Sequence, residues 1–217
     1  MITLPNATIT DHIGVYPNAF SPLMCEQIID YMESKFARAK ETALENGVDV
    51  ADGSNHDFDG VNFRDNSKRI DTSIELNNFP SAGPLVEKFL PILELYSTHH
   101  FGSYGSPYLW SDCERMQIKC QKSSNGGGFC DWHYEQGNDS HCARRFAVWM
   151  VYLNDVIKGG RTEFKQQGIS LQPEEGTLVI WPAAYTHMHR AAPDLEQDKY
   201  IATGWYVYEA SADPKRS

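Results

Sequence analysis

Apolar residues recur at helical spacing in the stretch SPLMCEQIIDYMESKFARAK, which begins at Ser21. The apolar positions include Met24, Ile28, Ile29 and Met32. Residues three and four apart share one face of a helix, and serine is a favoured N-cap, so this stretch predicts an amphipathic helix.

A second helix is predicted over AGPLVEKFLPILELYSTHHF, with a kink at Pro91, because an interior proline removes one helical hydrogen bond. Between the two helices, the segment Glu45–Asp65 is rich in Gly, Asn and Asp. Such a composition favours a long surface loop.

From Arg115 onward the pattern changes to short runs rich in β-formers, separated by turn residues such as NGGG, KGG and PEEG. The runs are RMQIKCQ, FCDWHYE, RFAVWMVYL, RTEF, GISLQ, GTLVIWP, MHRAA and KYIATGWYVY. They predict two packed sheets in a barrel or jelly roll. We therefore expect an α+β protein with one domain over residues 1–217. Residues 1–110 would form a helical and loop elaboration, and residues 111–210 a jelly-roll core.

Composition narrows the classes of function. A formal net charge of -10 argues against a protein that binds nucleic-acid phosphates, because such binding needs clustered Lys and Arg. No basic segment followed by an apolar run opens the chain, and no stretch has the roughly 18 apolar residues of a membrane span. We therefore expect a cytosolic protein without a membrane partner. Five cysteines without CxxC spacing predict free thiols.

Candidate metal ligands occur in the segment WHYEQGND. If this segment is a strand, His133 and Glu135 project to the same face and could hold one metal ion. His187 or His189 could complete a set of two histidines and one carboxylate, which leaves positions open on Fe(II). A His-x-Glu pair alone is more often simply solvated.

The segments GGRTEF, GISLQPEEGTLVIWP, HRAAP and KYIATGWYVY follow in that order after the His-x-Glu pair. This set, from about Met116 to Tyr208, resembles the 2-oxoglutarate and Fe(II)-dependent oxygenases, most closely their prolyl 4-hydroxylase-like branch. VYLNDVIKGGRTEF is similar to the middle segment of that family, and Lys199 follows His189 by ten residues, as in the family. VYPNAFSPLMCEQIIDYM looks like its opening strand and helix.

The resemblance assigns roles to individual residues. His133, Glu135 and His189 would be the ligands of Fe(II). Lys199 would pair with the distal carboxylate of 2-oxoglutarate, and Thr162 would hydrogen-bond the same carboxylate. Thr162 could equally be a β-favouring surface residue.

Two positions depart from the family pattern. The family's carboxylate ligand is Asp, whereas this chain has Glu135, whose extra methylene moves the carboxylate outward. Ser123 occupies the position of a family tyrosine that contacts 2-oxoglutarate. Tyr152 is a candidate to supply that contact, or to hold in place the residues that contact 2-oxoglutarate. His187 competes with His189 for the third ligand position. The ten-residue interval to the lysine and the H-x-A-x-P context favour His189, which leaves His187 as a supporting or substrate-side residue.

The resemblance implies a dioxygenase on a double-stranded β-helix, or jelly-roll, core with N-terminal helices packed on one sheet. It would use Fe(II), 2-oxoglutarate and O2 to hydroxylate an unactivated C–H bond. The substrate would be a prolyl residue in a peptide or protein, over which the polar loop at 47–65 could close, or a free amino acid or other small metabolite. Two rival classes remain: a zinc hydrolase, which lacks the expected HExxH helix, and a metal-free jelly-roll binding module. The oligomeric state is not predicted.

Overall fold

The computed structural model describes residues 7–66, 69–104, 113–115, 118–140 and 142–208. It contains both predicted helices, α1 over Pro22–Glu45 and α2 over Gly83–Gly102. The Ser21 hydroxyl accepts a hydrogen bond from the Met24 N–H at 3.3 Å, which confirms the predicted N-cap of α1. Pro91 lies inside α2.

Fourteen strands are found within the described ranges. They are β1 Thr8–Thr10, β2 Ile13–Tyr16, β3 Asn55–Phe58, β4 Val61–Asn66, β5 Arg69–Glu75, β6 Cys113–Arg115, β7 Lys119–Ser123, β8 Gly128–Phe129, β9 Arg145–Tyr152, β10 Thr162–Phe164, β11 Ile169–Leu171, β12 Leu178–Pro182, β13 His189–Ala191 and β14 Lys199–Tyr208.

The strands form two antiparallel sheets. The large sheet has the order β1-β2-β12-β9-β14-β7-β5-β4-β3, with β6 also paired to β14 and β8 to β5. The small sheet has the order β11-β10-β13. The predicted α+β jelly roll is confirmed, since the chain folds as two packed antiparallel sheets with helices added.

The large sheet is covered on one face by helices and on the other by the small sheet. Because side chains alternate along a strand, β9 contributes to both layers. Ala147, Trp149 and Val151 pack in a core with the buried faces of α1 and α2, whereas Val148, Met150 and Tyr152 pack toward the small sheet. The helix-side core includes Ile28, Met32 and Phe36 of α1 and Phe89 and Leu93 of α2. Each such side chain contributes about 1.5–3 kcal/mol when fully buried.

The prediction of a long loop over Glu45–Asp65 is wrong. β3 and most of β4 lie in this segment and form a hairpin, which turns at Asp59 and Gly60 with φ values of 52° and 77°. Val61 and Phe63 are buried in the helix-side core, while the residues between them are polar. One buried face therefore holds these strands, although their overall composition is that of a loop.

Residues 1–110 are also richer in strands than expected. β2 pairs with β12 and β5 pairs with β7, so both strands belong to the large sheet. The first half of the chain thus extends the core sheet on both sides, in addition to supplying the helices.

None of the helices in the described ranges is long and apolar enough to cross a membrane. Four of the predicted free thiols are confirmed, those of Cys25, Cys120, Cys130 and Cys142. The side chain of Cys113 lies outside the described part of the chain.

Candidate active site

A cavity of about 490 Å³ lies between the two sheets, on the face of the large sheet that the helices do not cover. Its walls come from β7, β9 and β14 of the large sheet and from β10 and β13 of the small sheet. His133, Glu135, Thr162, His189 and Lys199 all line it. The site residues predicted from sequence, apart from His187 and Tyr152, therefore face one space.

The three predicted metal ligands come together at this cavity. One potential ligand atom from each of His133, Glu135 and His189 lies within 4.8 Å of the others. The Glu135 Oε1 atom is 3.6 Å from Nε2 of His133 and 3.5 Å from Nε2 of His189. Two imidazole nitrogens and one carboxylate oxygen at this separation could hold a single divalent cation.

The backbone sets this arrangement in a way that differs from the prediction. FCDWHYE does not form a continuous strand, because β8 ends at Phe129. His133 instead forms a single antiparallel bridge with His189, in which each N–H donates to the other residue's carbonyl, at 3.0 and 2.8 Å. The Glu135 N–H donates to the carbonyl of Ala183, just after β12, at 3.0 Å. Tertiary hydrogen bonds, and not strand alternation, therefore place the pair on one side.

Backbone carbonyls orient both histidine rings. His133 Nδ1 lies 2.8 Å from the Asp131 carbonyl oxygen, and His189 Nδ1 lies 3.0 Å from that of His187. Because a carbonyl oxygen can only accept, each Nδ1 carries the proton. In the neutral form of each ring the lone pair is then on Nε2, which faces the cavity, and this is the tautomer that a metal ligand needs.

The Glu135 carboxylate is held by two donors on its far side. Its Oε2 accepts from Trp205 Nε1 at 2.9 Å and from Arg145 Nη1 at 3.2 Å. The Arg145 guanidinium also stacks 3.8 Å from the Trp205 ring centroid. The extra methylene of Glu therefore lets one oxygen reach the histidines while the other remains bound to these donors.

Glu135 is ionised in this setting. Burial opposes the charge, but hydrogen bonds and attraction from His133 and His189 outweigh it and hold the pKa of Glu135 well below its usual range. An anionic oxygen that faces two imidazole Nε2 atoms fits a divalent metal such as Fe(II), which would take the place of protons on those nitrogens.

His187 is not part of the metal cluster. Its Nε2 donates to the Asp11 carbonyl at 2.8 Å, and its Nδ1 is 2.9 Å from the Thr186 hydroxyl. Both ring nitrogens are therefore engaged away from the cavity. The backbone carbonyl of His187, and not its side chain, contacts His189.

The second half of the site surrounds Lys199, at the start of β14. Only 6% of Lys199 is exposed, and burial lowers its pKa to about 8. Its Nζ donates to the Gly160 carbonyl at 2.5 Å and lies 5.4 Å from the Tyr152 ring centroid. No carboxylate of the described chain is paired with this ammonium, so it fits an anionic ligand such as the distal carboxylate of 2-oxoglutarate.

Thr162 is buried, which excludes the alternative that it is a surface residue. The Tyr152 hydroxyl donates to Thr162 Oγ1 at 2.8 Å. Because that oxygen accepts from Tyr152, the Thr162 proton is free to be donated to a ligand in the cavity. Tyr152 thus supports the cavity wall from behind, while Ser123 pairs with Lys199 across the strands and lines the cavity.

The KGG turn has a steric basis. Gly159 and Gly160 have φ values of +70° and +60°, which favour glycine. A Cβ on Gly159 would lie 1.8 Å from the Asp194 carbonyl oxygen. Two glycines therefore let this turn approach Lys199 and present the Gly160 carbonyl to it.

Sequence reasoning missed four side chains at this site. Trp205 could have been found, because it shares a face of β14 with Lys199 by alternation. Arg145, Lys119 and Arg69 gave no local signal, since each reaches the cavity only through the pairing of distant strands. His141, a further histidine of this region that more often would be a surface residue than a ligand, lies outside the described residues.

Comparisons with known proteins agree with this geometry. Residues 116–207 match the family model of the 2OG-Fe(II) oxygenase superfamily. The chain is 37% identical over 110 residues to prolyl 4-hydroxylase subunit alpha-1 of Gallus gallus, a match that covers 44% of this chain and 21% of the relative. It is 35% identical over 68 residues to the same subunit of Homo sapiens, which covers 28% of this chain and 13% of the relative. The chain thus spans about a fifth or less of these relatives.

Solved structures share the fold along almost the whole chain. A viral collagen prolyl hydroxylase from Paramecium Bursaria Chlorella virus-1, in complex with 2OG, gives a TM-score of 0.62 at 16% identity and covers 92% of this chain and 97% of its own. A prolyl-4-hydroxylase of Pseudomonas putida gives a TM-score of 0.59 at 14% identity and covers 93% of this chain and 95% of its own. At this identity the likeness concerns the fold. Over residues 116–207, the segment that carries the metal cluster and Lys199, this chain is similar to the 2OG-Fe(II) oxygenase superfamily.

Proposed function

We propose that the protein is an Fe(II) and 2-oxoglutarate-dependent dioxygenase that hydroxylates an unactivated C–H bond. One observation carries the proposal: a cluster of two histidines and one carboxylate shares a cavity with a buried lysine that no described carboxylate neutralises. A metal site of this composition leaves coordination positions open, and the lysine adds a site for a second, anionic ligand.

The residues of the chain would act by binding and orientation. His133, Glu135 and His189 would hold Fe(II), while Lys199 and Thr162 would hold the distal carboxylate of 2-oxoglutarate. Bound Fe(II), 2-oxoglutarate and O2 supply the oxidation, in which 2-oxoglutarate becomes succinate and CO2 and one oxygen atom enters the substrate. Apolar cavity residues such as Met150 and Trp181 exclude water and so limit unproductive reaction.

The two rival classes are less well supported by the same residues. A zinc hydrolase would give Lys199 no role, and α1 and α2 lie away from the cavity and line none of it. A metal-free binding module would not need two histidines whose Nε2 atoms both face one carboxylate oxygen.

We propose a prolyl residue in a peptide or protein as the substrate, with a free amino acid or other small metabolite as the alternative. Support comes from the prolyl hydroxylase relatives, and one similar structure, from Trichoplax adhaerens, is described with a hypoxia inducible factor peptide fragment. Tyr134 lines the cavity and is 46% exposed, so an aromatic ring is available at the rim for an extended chain. We also propose a cytosolic location, which the four unpaired thiols favour.

Anaerobic addition of Fe(II) and 2-oxoglutarate tests the proposal. The wild type should develop a weak visible charge-transfer band and, on exposure to O2, release succinate. His189→Ala should lose the band. His187→Ala is the matched control and should retain it, because that imidazole bonds to Asp11 and not to the cavity. Absence of the band in the wild type would contradict the proposed function, and loss of the band only in His187→Ala would contradict the ligand assignment.

A further inference from the structure

The cavity is basic although the whole chain carries a formal net charge of -10. Five cationic side chains line it: Arg69, Lys119, Arg145, Arg190 and Lys199. Glu135 is the acidic residue of the lining. A strongly acidic protein that collects positive charge in one cavity is suited to anionic ligands.

The arginines of the cavity are already neutralised. The pairs are Arg69 with Asp71, Arg145 with Glu135 at 3.2 Å, and Arg190 with Glu163 at 2.8 Å. In contrast, neither Lys119 nor Lys199 has an ion-pair partner among the described residues. Under the proposed function Lys199 binds 2-oxoglutarate, so Lys119 remains as the second cavity cation outside any ion pair of the described residues.

Two arginines lie close enough to Lys119 to repel its ammonium. Burial, followed by repulsion from Arg69 and Arg64, lowers the pKa of Lys119 to about 8. Asp71 and Glu75 attract the ammonium and act in the opposite direction on its pKa, but neither forms an ion pair with it. Asp71 is bonded to both arginines, and Glu75, which is opposite Lys119 on β5, lies beyond ion-pair distance. An anion that reached Lys119 would relieve this repulsion.

The strand register separates Lys119 from the 2-oxoglutarate end of the cavity. Lys199 is opposite Ser123, and Lys119 is opposite Thr203, four residues farther along β14. At about 3.3 Å per residue the two lysines are about 13 Å apart along the strands. Trp205, which holds Glu135, lies two residues beyond Thr203. Lys119 is therefore level with the metal end of the cavity.

From this placement we propose that Lys119 binds a carboxylate of the primary substrate and so fixes the substrate beside the metal cluster. The inference rests on the proposed function and narrows its substrate class to molecules with an anionic group close to the reacting carbon. The carboxylate could belong to a free amino or imino acid, or to an acidic residue or C-terminus of a peptide. Gln121, on the same face of β7, also lines the cavity and offers an amide to the same group.

Paired probes test this inference in the anaerobic protein loaded with Fe(II) and 2-oxoglutarate. The pairs are L-proline with L-prolinamide, Gly-Pro with its C-terminal amide, and acetyl-Pro-Asp-amide with acetyl-Pro-Asn-amide. Dissociation constants come from the change in the visible band. We expect the acid of at least one pair to bind about tenfold or more tighter than its amide. The first two pairs report a terminal carboxylate and the third an acidic side chain, so the pair that discriminates identifies the source.

Three variants assign the effect to Lys119. Lys119→Gln should abolish the preference for the acid, while Lys119→Arg should keep most of it because the charge is retained. Lys122→Gln is the matched control: it is the same change on the same strand, but Lys122 points to Glu33 and Asp198 on the other face and should leave the preference intact. All three should bind 2-oxoglutarate within about twofold of the wild type, because the carboxylate partner of that ligand is Lys199.

Several results would overturn the inference. These are equal binding of acid and amide in every pair, no binding of any acid, or an unchanged preference in Lys119→Gln. If the 2-oxoglutarate band forms normally, such a result removes only the substrate assignment. If the wild type forms no band, the proposed function fails and this inference fails with it.

Discussion

Trp205 and Arg145 give the candidate ligand Glu135 a fixed direction, since both donate to the oxygen that faces away from the histidines. Outer hydrogen bonds of this kind restrict the rotation of a ligating carboxylate. The Trp205 indole N–H makes the shorter of the two contacts, so its removal isolates the effect of orientation from that of charge.

Trp205→Phe should therefore weaken Fe(II) binding by about tenfold or more while the fold is retained. Trp181→Phe is the matched control. Trp181 also packs against His189, with ring centroids 5.1 Å apart, but its Nε1 is buried without a hydrogen-bond partner in the described chain. Anaerobic equilibrium titration of Fe(II) measures both variants. Equal losses of Fe(II) affinity in the two variants would show that the affinity depends on packing of the indole rings and not on the hydrogen bond from the Trp205 N–H to Glu135.

The pH dependence of cosubstrate binding should follow Lys199. Burial lowers its pKa to about 8, and only the ammonium form attracts a carboxylate. Affinity for 2-oxoglutarate should thus be constant below about pH 7 and fall above pH 8, approaching tenfold per pH unit until the higher pKa of the complex is reached. Isothermal titration of the anaerobic Fe(II) protein from pH 7 to 9 measures the slope.

Lys199→Arg provides the control, because a guanidinium stays protonated throughout this range. If it binds 2-oxoglutarate, its affinity should vary little with pH. A wild-type affinity that does not change up to pH 9 would contradict the pairing of Lys199 with the distal carboxylate.

The ligand residues were predictable from sequence, but the reason for their placement was not. His133 and Glu135 were expected to share the face of a strand, whereas the bridge to His189 and the Ala183 carbonyl position them. Sequence spacing cannot reveal a hydrogen bond between residues 56 positions apart, as His133 and His189 are. Arg145 was missed for the same reason, because its contact with Glu135 depends on the path of the nine residues that connect the two.

At the scale of elements, the success of prediction depended on how many apolar residues each element buries. α1 buries one long face and was found. β3 and β4 were missed because few of their residues reach the core and the intervening side chains are polar. β2 is short, yet it lies between β1 and β12 and contacts the end of α2 through the bond between Tyr16 and His100.

Gly14 of β2 shows how tightly this strand and α2 are packed. A Cβ at Gly14 would lie 2.5 Å from Nδ1 of His100, which is bonded to the Tyr16 hydroxyl at 2.9 Å. Gly14→Ala should push the end of α2 outward and lower the free energy of unfolding by about 1–3 kcal/mol. Urea unfolding followed by circular dichroism measures the change.

Gly102→Ala is the control at the end of the same helix, because no other atom lies within 4 Å of the added Cβ. It should change stability by less than about 1 kcal/mol. A Gly14→Ala protein as stable as Gly102→Ala would mean that the helix adjusts without cost.

At the scale of the whole molecule, the two faces of the large sheet have different tasks. The helices cover one face with a continuous apolar core, while the cavity and its charges lie on the other. The residues that would bind the metal and 2-oxoglutarate come from both sheets. His189, a candidate metal ligand, is on β13 of the small sheet, and Lys199, which would bind 2-oxoglutarate, is on β14 of the large sheet. Bound metal and 2-oxoglutarate would therefore connect the sheets.

Saturating Fe(II) and 2-oxoglutarate should consequently stabilise the folded chain. A ligand at 100 times its dissociation constant adds about 2.7 kcal/mol, which for a chain of this size corresponds to a rise of roughly 5–10 °C in Tm. Anaerobic calorimetry with and without the ligands measures the shift. His189→Ala should show little of it. An unchanged Tm in the wild type, at concentrations that saturate the visible band, would contradict the connection of the sheets.

The reciprocal backbone hydrogen bonds between His133 and His189 have a consequence for how the protein acquires its metal. They involve main-chain atoms only, and together with the bonds from each Nδ1 to a backbone carbonyl they hold the two imidazoles side by side without the help of an ion. Little conformational entropy is then lost when the ion arrives. Under the proposed function, metal loading would then be a filling step and not a folding step: the protein treated with a chelator should remain native, and the visible band with 2-oxoglutarate should return as fast as Fe(II) can enter the cavity and shed its water.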